Sequence, residues 1–148
     1  MATENLAAQA RELGRGMAEM RTLVRQQLQE KIKARGLNIT FELLEVLFLL
    51  LRKDGANQQE IADLLIKDKS SMTYLIDNLV KRELVARKED ETDRRNKRIY
   101  LTTTAKEMME TINPWITETY EKATDGIKAA ELEKAILLIQ RMNKKLKE

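Results

Sequence analysis

The sequence of 148 residues contains no cysteine and no histidine. Without cysteine, disulfides, thiol redox sensing and nucleophilic thiol chemistry are excluded. The usual zinc, copper and haem ligands are missing, and so are serine–histidine and cysteine–histidine catalysis. No Gly-rich phosphate loop or paired-carboxylate motif is present either. We therefore expect neither an enzyme nor a cofactor-binding protein.

Proline occurs once and glycine five times, and aromatic residues make up only 4% of the chain, whereas 34% of it is charged. This composition predicts a mostly helical fold, and the length suits one domain. No apolar run reaches the roughly 18 residues needed to cross a bilayer. The N-terminus lacks the basic start and apolar block of a signal peptide. We expect a cytoplasmic protein that does not bind membranes.

A long amphipathic helix is predicted over residues 5–34, with Gly36 placed to end it. Apolar residues recur there at three- and four-residue steps, which gives a helix one apolar stripe. They are Leu6, Ala10, Leu13, Met17, Met20, Val24, Leu28 and Ile32. The stripe can face the core of its own subunit. Because it runs eight turns, longer than a chain of this size readily covers, we favour a partner subunit.

Three shorter helices should follow. Thr40 can cap FELLEVLFLLLRKDG, a helix ending at Gly55 that is apolar nearly all round and therefore central to the core. Asn57 and Glu60 form a capping box for a short helix carrying Ile61, Leu64 and Leu65. Asp68 can cap a helix running to about Lys81, with Met72, Leu75, Ile76 and Leu79 on its buried face. The last two helices form a helix-turn-helix arrangement.

Apolar and polar residues alternate over residues 84–88 and 98–101, which predicts two paired strands. Six basic side chains crowd this hairpin, namely Arg87, Lys88, Arg94, Arg95, Lys97 and Arg98. A charged hairpin directly after a helix-turn-helix is the wing of a winged helix. The second helix of the helix-turn-helix and the charged hairpin can bind a DNA duplex together. The polar helix can enter a major groove while the hairpin tip reaches phosphates or the minor groove.

Two helices complete the chain. Thr102 or Thr104 caps a long helix that Pro114 should kink or interrupt. Its apolar residues are Met108, Met109, Ile112, Trp115 and Ile116. After a break at Asp125-Gly126, the last helix presents Leu132, Ala135, Ile136, Ile139 and Met142 on one face. The predicted fold class is mainly α with a small β-hairpin wing.

With these elements in place, the chain resembles the MarR family of bacterial transcriptional regulators. The resemblance extends over nearly the whole chain in element order and is most specific from residue 38 to residue 105. It is carried by LNITFELLEVLFLL, by QQEIADLL…DKSSMTYLIDNLVKRELVAR and by DETDRRNKRIYLTTTAKE. A wing Asp followed two positions later by Arg is characteristic of the family, and Asp93 and Arg95 match it.

This chain departs from the family pattern at two positions. The family usually has Gly after the recognition helix, where this chain has Glu83. That residue must take an awkward backbone angle, or else the turn differs. Ala105 replaces a usual Gly near the start of the long helix, which should favour that helix.

The resemblance implies a homodimer held by the terminal helices and bound to a pseudo-palindromic DNA operator. Residues 1–36 and 105–148 would form the dimerisation region, and residues 37–104 the winged helix-turn-helix DNA-binding region of one compact chain. We place Leu6, Ala10, Leu13, Ile112, Leu132, Ile136 and Ile139 at the dimer interface. The resemblance also implies a pocket for a small organic effector between the dimerisation helices and the winged helix-turn-helix region of each subunit.

Thirteen residues are predicted to contact DNA, although each can instead belong to a solvated face. They are Gln58, Gln59, Lys69, Ser70, Ser71, Thr73, Tyr74, Asn78, Arg87, Asp93, Arg94, Arg95 and Lys97. We expect base contacts from Tyr74 and Asn78 and phosphate contacts from Gln58 and Gln59, which a helix N-terminus aids. Asp77 should pair with Lys81 or accept from a cytosine.

The resemblance also assigns roles within the wing. By analogy with the family, Arg95 inserts into the minor groove and Asp93 braces it. Arg94 and Lys97 would meet phosphates. The alternative function is a winged-helix module that binds protein and not DNA.

The effector pocket has four candidate residues, Met17, Met20, Met108 and Met109. Thioethers adapt to irregular ligands, although methionines on helices more often belong to the core. Since thiol and common metal triggers are excluded, an effector should be an organic compound, apolar or aromatic with an anionic group.

Overall fold

The structure is a computed structural model that describes residues 2–148. Its elements are α1 (Ala2–Ala34), α2 (Phe41–Arg52), α3 (Gln58–Leu64), α4 (Lys69–Lys81), β1 (Val85–Glu89), β2 (Lys97–Leu101), α5 (Thr103–Ala123) and α6 (Ala129–Lys147). This order, mainly α with one antiparallel hairpin, confirms the predicted fold class. None of the helices within residues 2–148 is long and apolar enough to cross a membrane.

The first helix ends where the sequence predicted. Gly36 has a φ of 69°, its N–H donates to the carbonyl of Lys33 at 3.0 Å, and the N–H of Leu37 donates to that of Ile32 at 3.1 Å. These two bonds form a Schellman motif, which satisfies carbonyls that the end of a helix leaves unpaired. The buried residues of α1 are Val24, Leu28 and Ile32. Much of the predicted stripe therefore faces solvent in one subunit.

The second helix lies at the centre of the core, as predicted. Thr40 caps it by accepting a hydrogen bond from the N–H of Leu43 at 3.3 Å. Its apolar residues are buried nearly all round. One hydrophobic cluster, from Leu28 in α1 to Trp115 in α5, includes them and extends to the wing. Helices α1 and α5 consequently share a single core with the winged helix-turn-helix region.

The second helix stops at Arg52, three residues before the predicted end, because the chain turns there to reach the wing. The N–H of Gly55 donates to Ile99 at 2.9 Å, and the N–H of Ile99 donates to Ala56 at 2.9 Å. Gly55 has a φ of 77°, and a Cβ there would lie 2.8 Å from the Tyr100 ring. Only glycine fits this position without strain.

Side-chain caps begin both helices of the helix-turn-helix. Asn57 accepts from the N–H of Glu60 at 2.8 Å, and Asp68 accepts from the N–H of Ser71 at 2.7 Å. The first of these is half of the predicted capping box. The Glu60 carboxylate binds the Nζ of Lys53 at 2.7 Å instead of turning back to Asn57.

The turn between α3 and α4 contains an unusual residue. Ile66 has a φ of 53°, and its N–H donates to Asp63 at 3.3 Å while that of Lys67 donates to Ala62 at 2.9 Å. This is again a Schellman motif, but with a β-branched residue in the left-handed region, which is strained. The Ile66 residue is 90% exposed. Leu64, predicted to lie with the apolar residues of α3, is exposed as well.

The recognition helix α4 ends at a similar turn. Glu83 has a φ of 58°. Its N–H donates to the carbonyl of Val80 at 3.0 Å, and the N–H of Leu84 donates to the carbonyl of Leu79 at 2.9 Å. Two outcomes were left open for Glu83, an awkward backbone angle or a different turn, and the structure shows the first. Thr102 donates to the carbonyl of Glu83 at 2.7 Å, so the turn is also tied to the start of α5.

The last two helices differ in burial. Thr102 caps α5 by accepting from the N–H of Ala105 at 3.1 Å, and α5 continues through Pro114. Ile112 is fully buried in the core of its own subunit, so its predicted place at the dimer interface is wrong. In contrast, no residue of α6 is buried. The apolar side chains of α6 remain available to a partner.

Candidate nucleic-acid interface

The wing is an antiparallel hairpin anchored on the core. Its register runs from Val85 opposite Leu101 to Glu89 opposite Lys97. β1 lies one residue later than predicted, and β2 begins one residue earlier and ends at the predicted residue. Val85, Ile99 and Leu101 are buried, whereas Glu89 and Lys97 are exposed. The apolar base therefore fixes the hairpin, and its charged tip projects from the domain.

Asp93 organises the tip of the wing. Its carbonyl accepts from the N–H of Asn96 at 3.0 Å, and its carboxylate accepts from the N–H of Arg95 at 3.0 Å. The carboxylate therefore holds the backbone of Arg95, as Asx turns do. The Arg95 side chain remains exposed.

A second acid, Asp90, connects the wing loop to Arg98 of β2, which in turn binds the rest of the domain. It accepts from the N–H and the hydroxyl of Thr92 at 3.0 and 2.8 Å, and from the Nε of Arg98 at 3.1 Å. The backbone hydrogen bond from Thr92 lowers the pKa of Asp90 most, followed by the Thr92 hydroxyl and Arg98. Arg98 also donates to the carbonyl of Gly55 at 3.1 Å. This arginine is thus a structural member of the basic cluster.

Asp77 forms an ion pair with Arg87, which connects α4 to β1. The predicted pairing of Asp77 with Lys81 is therefore wrong, because β1 packs against α4 and brings Arg87 to the acid. The Arg87 side chain is 26% exposed, and its Nε is buried without a hydrogen-bond partner among the described residues. Arg87 consequently lies between the recognition helix and the wing and not at the open tip.

Two polar side chains of α4 already have partners within the domain. The Thr73 hydroxyl accepts from the Nε2 of Gln58 at 2.8 Å and donates to the carbonyl of Lys69 at 2.9 Å. Asn78 accepts from the Nε of Arg82 at 2.7 Å. The carbonyl oxygen of Asn78 is therefore engaged, and its amide N–H groups are the part left for a base contact.

Arg82 was not singled out by the sequence. Besides binding Asn78, its guanidinium donates to the carbonyl of Asn38, just before α2. Its spacing from Asn78, four residues along a helix, was the available signal.

The remaining predicted contacts of the helix-turn-helix lie on its surface. Tyr74 is 70% exposed, and Lys69, Ser70 and Ser71 are exposed at the start of α4. Gln59 is exposed at the start of α3 and donates to the carboxylate of Asp63 at 2.9 Å. These side chains can reach a ligand that approaches α4 from solvent.

A cleft of about 460 Å³ opens between α3, α4 and the wing. Four cationic side chains line it, those of Lys69, Arg87, Arg95 and Lys97, and the carboxylate of Asp77 is the acid among them. The structure also brings the predicted residues Gln58, Gln59 and Thr73 into this cleft. Arg94 and Asp93 lie at the tip of the wing beyond it. The concave surface therefore carries excess positive charge.

The terminal helices carry the other predicted surface. Leu6 is 67% exposed, Leu132 and Ile136 are also exposed, and Ala10, Leu13 and Ile139 are half-buried. All of these residues, unlike Ile112, are accessible to a second subunit.

The four candidate pocket methionines do not converge within one subunit. Met17 and Met20 are exposed on α1, whereas Met109 is buried and Met108 half-buried on α5. The two helices run antiparallel where they meet, since Lys31 binds Glu118 at 2.8 Å and Arg35 lies over the Trp115 ring. From that contact the two pairs of methionines lie in opposite directions.

A helix-turn-helix followed by a hairpin that packs on the same core defines a winged-helix protein. Residues 39–97 match the sequence model of the MarR family. This match confirms, over residues 39–97, the resemblance to the MarR family that the sequence indicated. The match begins just before α2 and ends at the first residue of β2.

Solved structures agree in fold. A MarR transcriptional regulator from Methanosarcina mazei Go1 superposes with a TM-score of 0.77 at 23% identity, over 90% of both chains. The transcriptional regulator SlyA superposes with a TM-score of 0.79 at 21% identity, over 90% of this chain and 93% of the other. A MarR protein from Peptoclostridium difficile superposes with a TM-score of 0.77 at 22% identity, over 90% of this chain and 86% of the other. The comparison with curated proteins returned no match.

Proposed function

We propose that this protein is a sequence-specific transcriptional regulator, and not an enzyme, that binds double-stranded DNA as a homodimer. The observation that carries the proposal is the cleft between α4 and the wing, which is lined by Lys69, Arg87, Arg95 and Lys97 and by a single carboxylate. Basic side chains on one concave face are the electrostatic pattern of a nucleic-acid site. The MarR-family match covers this same region.

The elements divide the recognition of the duplex between them. The N-terminal half of α4 presents Tyr74, Ser70 and Ser71 to the major groove, where base edges carry sequence information. The wing tip presents Arg95 to the minor groove, with its backbone held by Asp93. Gln58, Gln59, Arg94 and Lys97 contact phosphates, which set the register of the protein on the duplex.

Dimerisation follows from the exposed apolar residues of the terminal helices. Monomeric proteins rarely leave large contiguous apolar patches open to water, and α6 has no buried residue in one subunit. Pairing α1 and α6 with their symmetry mates would cover Leu6, Leu132 and Ile136. A two-fold dimer would then present two recognition helices to half-sites about one helical turn apart.

We further infer that the protein is a repressor released by an organic effector. Helices α1 and α5 share one hydrophobic core with α4, so a ligand that shifts α1 against α5 also shifts α4. A ligand that binds the conformation unable to bind DNA more tightly than the DNA-binding conformation lowers DNA affinity. The size of this effect is set by the difference between the free energies with which the ligand binds the two conformations. The accessible thioethers of Met17 and Met20 are suited to an apolar or aromatic compound.

Titration of a labelled duplex at several salt concentrations tests DNA binding. Each phosphate neutralised on B-DNA contributes about −0.9 to the slope of log K against log salt. We expect Arg95→Ala to weaken binding and to flatten this slope, while Arg15→Ala, which removes an exposed arginine of α1, leaves both close to wild type. Salt-independent affinity, or unchanged binding by Arg95→Ala, would contradict the proposal.

Sedimentation tests the dimer. We expect a species of twice 17.2 kDa that Leu132→Glu or Ile136→Glu dissociates. The matched control is Leu146→Glu, which places the same charge at the exposed end of α6. A monomeric wild-type protein would exclude recognition of paired half-sites.

A second function is favoured by one observation. Leu64 and Ile66 expose apolar side chains next to the helix-turn-helix turn, a feature that suits a protein partner. Binding through this surface would depend little on salt and would be lost in Leu64→Ser, whereas Arg95→Ala would leave it intact.

A further inference from the structure

Asp77 occupies an unexpected place for a protein that binds a polyanion. It lies on α4, its side chain is 49% exposed, and it lines the cleft whose other charged groups are cationic. By charge alone, this carboxylate should repel phosphates and weaken binding. The structure gives it a partner, Arg87 of β1, so its effect depends on what it does to that arginine.

The ion pair with Asp77 restricts the side chain of Arg87, which would otherwise be free to change rotamer. Its Nη2 donates to Asp77, and its Nε is buried without a partner among the described residues. The Arg87 side chain is 26% exposed and lines the cleft together with Lys69 and Lys97. A guanidinium has five N–H donors in one plane, so the bond to Asp77 leaves others for a ligand.

We propose that Asp77 is a positioning residue for a phosphodiester site in this cleft. It fixes the guanidinium of Arg87 so that its open N–H groups face a backbone phosphate passing between α4 and the wing. Arginine binds phosphate through paired N–H groups, and that geometry is lost when the plane of the guanidinium can rotate. The acid therefore raises DNA affinity. This inference rests on the proposed function and assigns a role within the same site.

If Asp77 acted only by repelling phosphates, its removal would raise DNA affinity, whereas positioning of Arg87 predicts that its removal lowers affinity. Binding measurements therefore separate the two explanations. The probe is a duplex of about 25 base pairs, long enough for two half-sites, selected by the wild-type protein from a random pool. Binding is measured for Asp77→Ala, Arg87→Ala and the double variant over a range of salt. Glu91→Ala is the matched control, because it removes an exposed carboxylate from the wing tip.

We expect Asp77→Ala to lower affinity about tenfold and to flatten the salt slope towards that of Arg87→Ala. In the Arg87→Ala background the same change should raise affinity, since the acid no longer has an arginine to position. Glu91→Ala should raise affinity in both backgrounds. This reversal of sign distinguishes positioning from a purely structural role, which would weaken binding in both backgrounds.

Thermal unfolding and sedimentation are recorded for every variant. If Asp77→Ala fails to fold, Asp77→Asn replaces it, because the amide keeps the shape and one acceptor, and we expect it to lower affinity to a smaller extent. Tighter binding by a folded Asp77→Ala, together with wild-type binding that is steeply salt-dependent and weakened by Arg95→Ala, would overturn this inference alone. Absence of salt-dependent binding by the wild-type protein would instead overturn the proposed function.

Discussion

The carboxylate of Asp93 accepts a hydrogen bond from the backbone N–H of Arg95 at 3.0 Å. The acid therefore shapes the wing-tip backbone and leaves the guanidinium of Arg95 accessible. An exposed ion pair between the two side chains would contribute little and would compete with phosphates for the arginine. The observed bond sets where the arginine projects without neutralising it.

Replacement of Asp93 should therefore affect DNA binding through the backbone. We expect Asp93→Ala to weaken binding of the selected duplex, because the tip loses its turn-forming acceptor. Asp93→Asn keeps an oxygen acceptor and should bind nearly as well as wild type. Fluorescence anisotropy at fixed salt measures both. Equal loss in the two variants would show that the charge of Asp93, and not its hydrogen bond, is required.

Glu83→Gly should stabilise the fold by about 1 kcal/mol, because a non-glycine residue in the left-handed region is strained. The control is Lys81→Gly, two residues earlier in α4, which should destabilise the fold by about 1 kcal/mol. Urea denaturation gives both free energies of unfolding. A destabilised Glu83→Gly protein would mean that the Glu83 side chain makes a compensating interaction.

Ile66→Gly should also raise the free energy of unfolding, by about 1–2 kcal/mol, since the β-branched side chain sits at a φ of 53° and is almost fully exposed. Ile66→Val retains the branching and the strain, so its stability should match that of wild type. The two variants are compared by thermal unfolding. If glycine gave no gain over valine, backbone strain at this turn would be disproved.

Gly55→Ala tests the contact between the end of α2 and the wing. The new Cβ would combine a φ of 77° with a distance of 2.8 Å to the Tyr100 ring, so we expect a loss of about 3 kcal/mol or more. Gly36→Ala has a similar φ of 69° but meets no atom within 4 Å, and its loss should be about 1 kcal/mol. Chemical denaturation of both proteins separates the clash from the backbone term.

Much of the fold could be predicted because local sequence controls it. Thr40 and Asp68 each cap a helix by accepting a hydrogen bond from an N–H three residues on, as the sequence predicted. Thr102 caps α5 in the same way and was one of two candidates there, with Thr104. The apolar face of α4 also follows from its spacing alone. The end of α2 was missed, because Gly55 pairs with Ile99, 44 residues later, and no local pattern shows such a partner.

The candidate site shows the same division. The sequence by itself determined the helix-turn-helix and the charged hairpin, because caps, apolar spacing and alternation along short segments specify them. The left-handed angle at Glu83 was one of two outcomes that the family resemblance left open. Only the tertiary structure decided that Arg87 binds Asp77, that Arg98 supports the wing and that Ile112 belongs to the core. These outcomes depend on which elements pack together, and packing brings side chains into contact from positions whose separation along the chain carries no periodic signal.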